Sequence, residues 1–263
     1  MIRALGAVLL LTFFPLPAFA EPPRIAIIID DLGYRLNAGR RAVELPGAVA
    51  VAVLPATPRG SALASYAHEQ GKEILVHLPL EAIDHRRDEP IEIRQHMDQC
   101  RFLDTFSRAL AAVPNATGVS THQGSLLTQD ADRMRWLMTA MAEQPSLYFV
   151  DSYTTHESVA LAAARDAGVP ARRRDVFLDH DRSESALEQQ FARLLELARR
   201  NGVAIGVGHP YVETLSFLEH KLTTLDEFGV ELVTVREVVT VMNSETQADS
   251  KTAGAQLGTL NAK

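Results

Sequence analysis

Short, almost uninterrupted apolar runs alternate with helix-length segments along nearly the whole chain, and this alternation restricts the fold more than any other feature. The runs are Ile25–Ile29, Ala48–Leu54, Ile74–Leu78, Gly118–Ser120, Leu147–Val150, Val176–Leu178, Ala204–Val207 and Glu231–Val235. Between them lie helix-like segments at Asn37–Leu45, Ser61–Gln70, Met97–Val113, Asp130–Glu143, Ser158–Ala167, Ser183–Arg200 and Thr214–Phe228. The runs lack a clean polar alternation, so both faces of their sheet are expected to be covered. Gly71, Gly168, Gly202 and Gly229 each close a helical segment just before the next run, where a left-handed cap ends a helix. This pattern fits an α/β fold, an irregular (β/α) barrel of seven or eight parallel strands. A doubly wound open sheet is the alternative that periodicity alone does not separate.

Three stretches fall outside the scheme. Met1–Ala20 reads as a secretory signal peptide: Arg3 gives a positive start, Ala4–Phe14 carries no charge, and Ala18-Phe19-Ala20 is a small-x-small cleavage pattern. The competing reading is an uncleaved membrane anchor, but Pro15 and Pro17 break the run and it is short for a bilayer span. The mature chain is therefore expected to start near Glu21, to work in the periplasm and to make no stable membrane insertion, with the barrel domain over 21–242. Glu81–Gln95 is a polar insertion long enough to form a substrate-side loop. The tail 243–263 is rich in Ser, Thr, Ala and Gln and is expected to be disordered.

With 26 Lys+Arg against 33 Asp+Glu, the net charge is −7. An acidic surface repels phosphate backbones, which excludes general nucleic-acid binding. Cys100 is the only cysteine, so no intrachain disulfide forms. Within its helical run it is expected to be a small buried apolar side chain.

Chemistry-bearing residues collect where the runs end. In a parallel α/β architecture all strand C-termini point to one face, where sites are built. The first run ends in Asp30-Asp31, the third in His77 followed by Leu78 to Glu81, and the fourth leads to His122. The fifth ends in Asp151-Ser152, the sixth in Asp179-His180-Asp181, and the seventh in Gly208-His209-Pro210. Carboxylates and imidazoles gathered on one rim are the ligand mix for zinc or another divalent metal. Each element also has an ordinary explanation. Asp30-Asp31 fits a turn cap, His77 a satisfied core histidine, and Asp151 and Asp179 turn residues. In Arg172-Arg173-Arg174, the first two read as a solvated edge, while Arg174 stands near enough to the next run to pair with a site carboxylate. His122 is the best single ligand candidate and His209 follows closely. Glu81, Asp151 and Tyr34 are candidate substrate-binding residues. Tyr34, Tyr153 and Tyr211 all follow strand ends, where they can stack on a sugar or sit half-buried. The chain has no G-x-S-x-G elbow, G-x-x-x-x-G-K-[ST] loop or H-E-x-x-H helix.

The segments Ile27–Tyr34, His77–Glu81, Gly118–Ser125, Phe149–Ser152, Arg174–Asp179 and Ile205–Pro210 together resemble the divergent polysaccharide deacetylases. These are distant relatives of carbohydrate esterase family 4 with the NodB-homology fold. The resemblance runs from about Arg24 to Thr240 and implies an irregular (β/α) barrel, an exported protein and metal-dependent deacetylase activity. It further implies Asp30 as general base, Asp31 as metal ligand, His209 as general acid and Arg174 as the group that keeps Asp30 ionised. The esterases complete their metal site with two histidines about one helical turn apart, whereas here Leu78-Pro79-Leu80-Glu81 follows His77. A further ligand must come from another strand, and His122 is the natural choice. The segment Ser120-Thr121-His122-Gln123 also departs from its own family, which usually shows two asparagines before the histidine and a methionine after it. Three functions follow: a zinc-dependent deacetylase acting on an acetylated glycan, a catalytically silent relative that binds glycan or a cell-wall enzyme, and a different metal hydrolase on the same scaffold.

Overall fold

All eight apolar runs contain a strand, and their side chains sort onto two buried layers. The computed structural model describes residues 21–84 and 88–240. The expected signal segment, positions 85–87 of the insertion and the tail 243–263 lie outside the described residues. In chain order the elements are β1 (Arg24–Leu32), α1 (Leu36–Val43), β2 (Ala50–Val53), α2 (Gly60–Glu69), β3 (Ile74–Leu80), α3 (Gln99–Ala112), β4 (Gly118–Gln123), α4 (Ala131–Ala142) and β5 (Tyr148–Asp151). They continue with α5 (Ala160–Asp166), β6 (Ala171–Arg173), β7 (Val176–Phe177), α6 (Glu184–Asn201), β8 (Val203–Gly208), α7 (Val212–Thr223) and β9 (Glu231–Leu232). Among the described residues no helix is long and apolar enough to cross a membrane.

The strand order is β6-β5-β4-β3-β2-β1-β8-β7, with β9 paired to β1, and every ladder is parallel. Read as a circle, this is simple sequence order with one break between β6 and β7. That circular order is a curled, incompletely closed barrel and excludes the doubly wound sheet, whose order reverses at a switch point. The chain itself crosses the seam. Arg174 N–H donates to the Asp151 carbonyl on one side, and Asp175 N–H donates to the Ile205 carbonyl on the other, both at 2.9 Å. The Arg172 guanidinium spans the same gap, donating to the Val203 carbonyl at 3.1 Å. Asp175 in turn accepts the Ile205 N–H at 2.8 Å. Arg172 is thus a seam residue with 12% side-chain exposure, which corrects its reading as a solvated edge.

The two apolar layers follow strand periodicity. On β1, Ile25, Ile27 and Ile29 face the helices, while Ala26 and Ile28 face the barrel interior. Ala50 and Ala52 keep that interior narrow, and Leu75, Tyr148, Val150, Val203, Ile205 and Val207 fill it. Val235, Val238 and Val239 pack against this inner layer. They belong to a helical segment at 235–240, so the expected strand Glu231–Val235 ends at Leu232. Glu73 holds that helix by accepting the Val235 N–H at 2.6 Å, and Arg236 donates to the carbonyls of Thr117 and Ser146. Cys100 sits exposed at the start of α3, contrary to the expected buried side chain. The buried face of α3 is carried instead by Phe102, Thr105, Phe106 and Ala109.

Candidate metal centre

The same alternation that buries Ala26 and Ile28 inside the barrel brings Asp30 inward next, at 3% exposure. It equally brings His77 after Leu75 on β3, and His209, just past the end of β8, after Val203, Ile205 and Val207. On β4, Ser120 lies beside His77 in register, and His122 beside Pro79. By strict alternation Asp31 would point away into the helix layer. It does not, because the β1–β2 register shifts between Ile29 and Leu32 and Asp31 adopts φ +60°. This bulge turns two consecutive carboxylates into one pocket. A left-handed conformation is costly for most residues, and aspartate is among the few that visit it readily. Gly33 then lets the chain turn tightly. Its φ is +139°, and a Cβ there would lie 2.0 Å from Thr57 Oγ1.

The outcome is a tight cluster. Asp31 Oδ1 lies 2.9 Å from His122 Nδ1 and 3.3 Å from His77 Nε2. Asp30 Oδ2 is 3.6 Å from His77 Nε2. One ligand atom from each of Asp31, His77 and His122 falls within 4.8 Å of the others. Ligands on a tetrahedral ion with bonds of about 2.0–2.1 Å stand roughly 3.3 Å apart, so both Asp31 separations are close to what zinc requires. The polar accounting points the same way. Asp30 Oδ1 and Asp31 Oδ1 are buried without an aligned hydrogen-bond donor, although an imidazole nitrogen is 2.9 Å from the latter. Buried carboxylate oxygens facing ring nitrogens call for a cation between them. The donor set therefore fits a divalent metal.

Ionisation is divided unequally. Burial raises the Asp30 carboxyl above the usual carboxylate range, despite His77 and His209 nearby. Burial alone would also raise Asp31, but contact with His122 and His77 and the charge on both rings overturn it and hold it well below that range. For His122, burial lowers the pKa and the Asp31 carboxylate more than restores it. His77 Nδ1 lies 2.8 Å from Ser120 Oγ, which fixes the ring with Nε2 toward the carboxylates.

His209 is held differently. Asp179, 3% exposed, accepts its backbone N–H at 2.6 Å, sits 3.0 Å from its Nδ1, and accepts the Thr214 hydroxyl at 2.8 Å. This leaves Nε2 directed at the cluster, 3.8 Å from Asp31 Oδ2. Burial disfavours the imidazolium, but Asp179 and Asp31 together lift its pKa to about 9. Asp179, weighed from sequence as a turn residue, is the positioning carboxylate of this histidine. Its one sequence signal was its place at a strand end.

The remaining candidates are spread around the rim. The Asp151 carboxylate accepts the Tyr153 N–H and the Ser158 hydroxyl, and burial raises its pKa. Arg174 donates from Nε to the Ser152 carbonyl and lies over the Phe177 ring. Burial lowers its pKa against the opposing pull of Asp30, Asp151 and Asp175. The Glu81 carboxylate accepts the Gln95 N–H at 2.7 Å, fastening the end of the insertion to the start of it. That insertion does reach the site, through a residue the sequence did not single out. Glu89 Oε2 accepts the Tyr34 hydroxyl, and Glu89 Oε1 lies 4.0 Å from His122 Nε2. His180 and Asp181 stay exposed, and Asp181 accepts the Ser183 N–H at the start of α6.

Comparison with known proteins decides the family. The profile of the divergent polysaccharide deacetylases matches residues 27–239, which contain every residue of the cluster. The chain belongs to that family. As a divergent polysaccharide deacetylase by descent, it is 36% identical over 218 residues to the uncharacterized protein YibQ of Escherichia coli K12, covering 82% of this chain and 68% of that one. An uncharacterized protein of Haemophilus influenzae is 34% identical over 216 residues, covering 82% and 76%. Among solved structures, the uncharacterized protein ATU2773 of Agrobacterium tumefaciens superposes with a TM-score of 0.79 at 24% identity, over 84% of this chain and 91% of that chain. That likeness bears out the curled parallel α/β barrel expected from the sequence motifs.

Proposed function

We propose that this divergent polysaccharide deacetylase is a metal-dependent hydrolase that removes acetyl groups from an exported, acetylated glycan. The observation that carries the reading is the convergence of Asp31 Oδ1, His77 Nε2 and His122 Nδ1 beside two further titratable groups, Asp30 and His209. Asp31, His77 and His122 would hold the ion, with zinc favoured by two imidazoles and one carboxylate. A divalent ion held there would supply Lewis acidity, polarising the acetyl carbonyl and bringing a bound water's pKa toward ~7.

The chain's own groups handle the protons. Asp30, buried and with its pKa raised, is suited to take a proton from the attacking water. His209, protonated at neutral pH through Asp179, is suited to give one to the leaving amine from Nε2. Arg174 places positive charge toward Asp30 and favours its ionised form between turnovers. Asp151 and Glu81 organise the rim through backbone and hydroxyl contacts. The uncharged run Ala4–Phe14 and the Ala18-Phe19-Ala20 pattern support export to the periplasm, where envelope glycans are the available substrates.

The test is metal analysis of the purified protein, followed by acetate release from acetylated chitooligosaccharide or peptidoglycan. Stoichiometric metal with acetate release supports the proposal. Metal without acetate points to a different hydrolase on this scaffold. Neither metal nor acetate leaves a silent glycan-binding or cell-wall-regulating protein, and overturns the reading.

A further inference from the structure

A cleft beside His209 takes no part in the chemistry above. It lies between the start of α1 and the start of α7, has a volume of ≈ 500 Å³, and its walls include Arg35, Leu36, Ala38, Pro210, Val212 and Leu215. Pro210 follows His209 directly in the chain, so the wall of the cleft starts at the residue next to this histidine. Of its lining, Leu36 is 39% exposed and Val212 67%, and Tyr211, between Pro210 and Val212 in the chain, is 38% exposed. The Tyr211 and His209 rings stand 5.6 Å apart at a shallow 32°.

The charge around this wall is the second observation. Arg41, also in the cleft, is neutralised by Glu219 at 2.7 Å. Arg35 and Arg182 are exposed and form no ion pair within 4.0 Å among the described residues. The Arg182 guanidinium lies 4.9 Å over the Tyr211 ring. Of the acids nearest the cleft, Asp179 holds His209 and Thr214, Asp181 accepts the Ser183 N–H, and Glu213 lies exposed in the first turn of α7. Arg35 itself lines the cleft, and the Tyr211 under Arg182 stands in the chain between Pro210 and Val212, which both line it. On a chain of net charge −7, two unneutralised guanidinium groups flanking an apolar wall select an anion.

We infer that this cleft is a sugar subsite for a carboxylate-bearing residue of the glycan, its ring against Tyr211, Leu36 and Val212 and its carboxylate between Arg35 and Arg182. The inference rests on the deacetylase reading for the direction of the glycan. His209 protonates the amine that remains on the sugar, so the next sugar falls on the His209 side. A neutral glycan would leave both guanidinium groups without partners, and a purely apolar chain would have no use for them.

The experiment is calorimetric titration of the full mature chain with two tetrasaccharides of equal length. One is neutral N-acetylglucosamine; the other alternates N-acetylglucosamine with a uronic acid. The acidic ligand is expected to bind about tenfold tighter at low salt, as for two charge-assisted contacts at an exposed site. The advantage should shrink as salt rises. In Arg35→Gln/Arg182→Gln the ratio should fall to about one, with each single variant intermediate. Equal affinity for both ligands, a preference that survives the double substitution, or no binding of the acidic tetrasaccharide each overturns the inference. Acetate released from both ligands with equal affinity sinks the subsite and leaves the deacetylase reading intact. Acid-selective binding without acetate release sinks the deacetylase reading alone.

Discussion

Replacing Asp179 with Asn tests how the fold charges His209. The amide keeps the shape of the carboxylate, and its oxygen can still accept the His209 N–H and the Thr214 hydroxyl now held at 2.6 and 2.8 Å. What it removes is the negative charge 3.0 Å from Nδ1. In the native protein that charge, with Asp31, outweighs burial and lifts His209 to about 9. The lift above an ordinary histidine is worth on the order of 3 kcal/mol, at 1.36 kcal/mol per pKa unit. Because Asp31 shares it, Asp179→Asn should lower the midpoint by about 1–2 units, or roughly 1.4–2.7 kcal/mol. The sign for stability follows. A folded pKa raised above the unfolded one stabilises fully below the unfolded value of about 6.5, and the gain is lost as pH climbs through about 9. Native protein should therefore lose stability between those limits, and the variant should lose much less. Imidazole NMR titration of the metal-free protein reads the midpoint, and urea unfolding across the same pH range reads the stability. A His209 midpoint that moves by less than a few tenths of a unit in Asp179→Asn would refute this reasoning.

Other substitutions separate the parts of the site. Asp30→Asn should retain metal, since Asp30 is not among the three ligands, while turnover falls by about 10²–10⁴, as expected for loss of a general base; single-turnover acetate release measures it. Glu89→Gln leaves the Tyr34 contact possible but removes the carboxylate 4.0 Å from His122 Nε2, so metal affinity should weaken about tenfold or more in competition with a chelator. Gly33→Ala should destabilise by roughly 2 kcal/mol or more in denaturant unfolding, because it combines a disfavoured φ with a Cβ only 2.0 Å from Thr57 Oγ1.

The alternation of strands and helices was legible because nearly every apolar run and capping glycine reported a local preference that tertiary packing kept. The barrel itself was implied by the family resemblance, since periodicity does not separate it from a doubly wound sheet. Asp30, His77, His122 and His209 were legible for a related reason: a parallel sheet fixes where strand ends go before any side-chain contact is known. Inner and outer faces were not separable. Ala26 and Ile28 point inward and Ile25, Ile27 and Ile29 outward, yet all are apolar, so no alternation marks the change. The bulge at Asp31 was equally hidden, since it depends on pairing with β2. The strand Ala171–Arg173 was missed because two of its three residues are arginines, and only the seam geometry gives Arg172 buried acceptors. Asp179 and Glu89 share one explanation. Each acts through a contact 30 or more residues away in sequence, which no local pattern reports.

The central claim is that Asp31, His77 and His122 form one metal site, and anomalous diffraction at the zinc edge from zinc-loaded crystals tests it most directly. The account predicts a single strong peak about 2.0–2.2 Å from Asp31 Oδ1, His77 Nε2 and His122 Nδ1 together, absent from crystals of His122→Ala grown and loaded identically. A stoichiometric peak coordinated elsewhere, or one that persists at this position in His122→Ala, would contradict it.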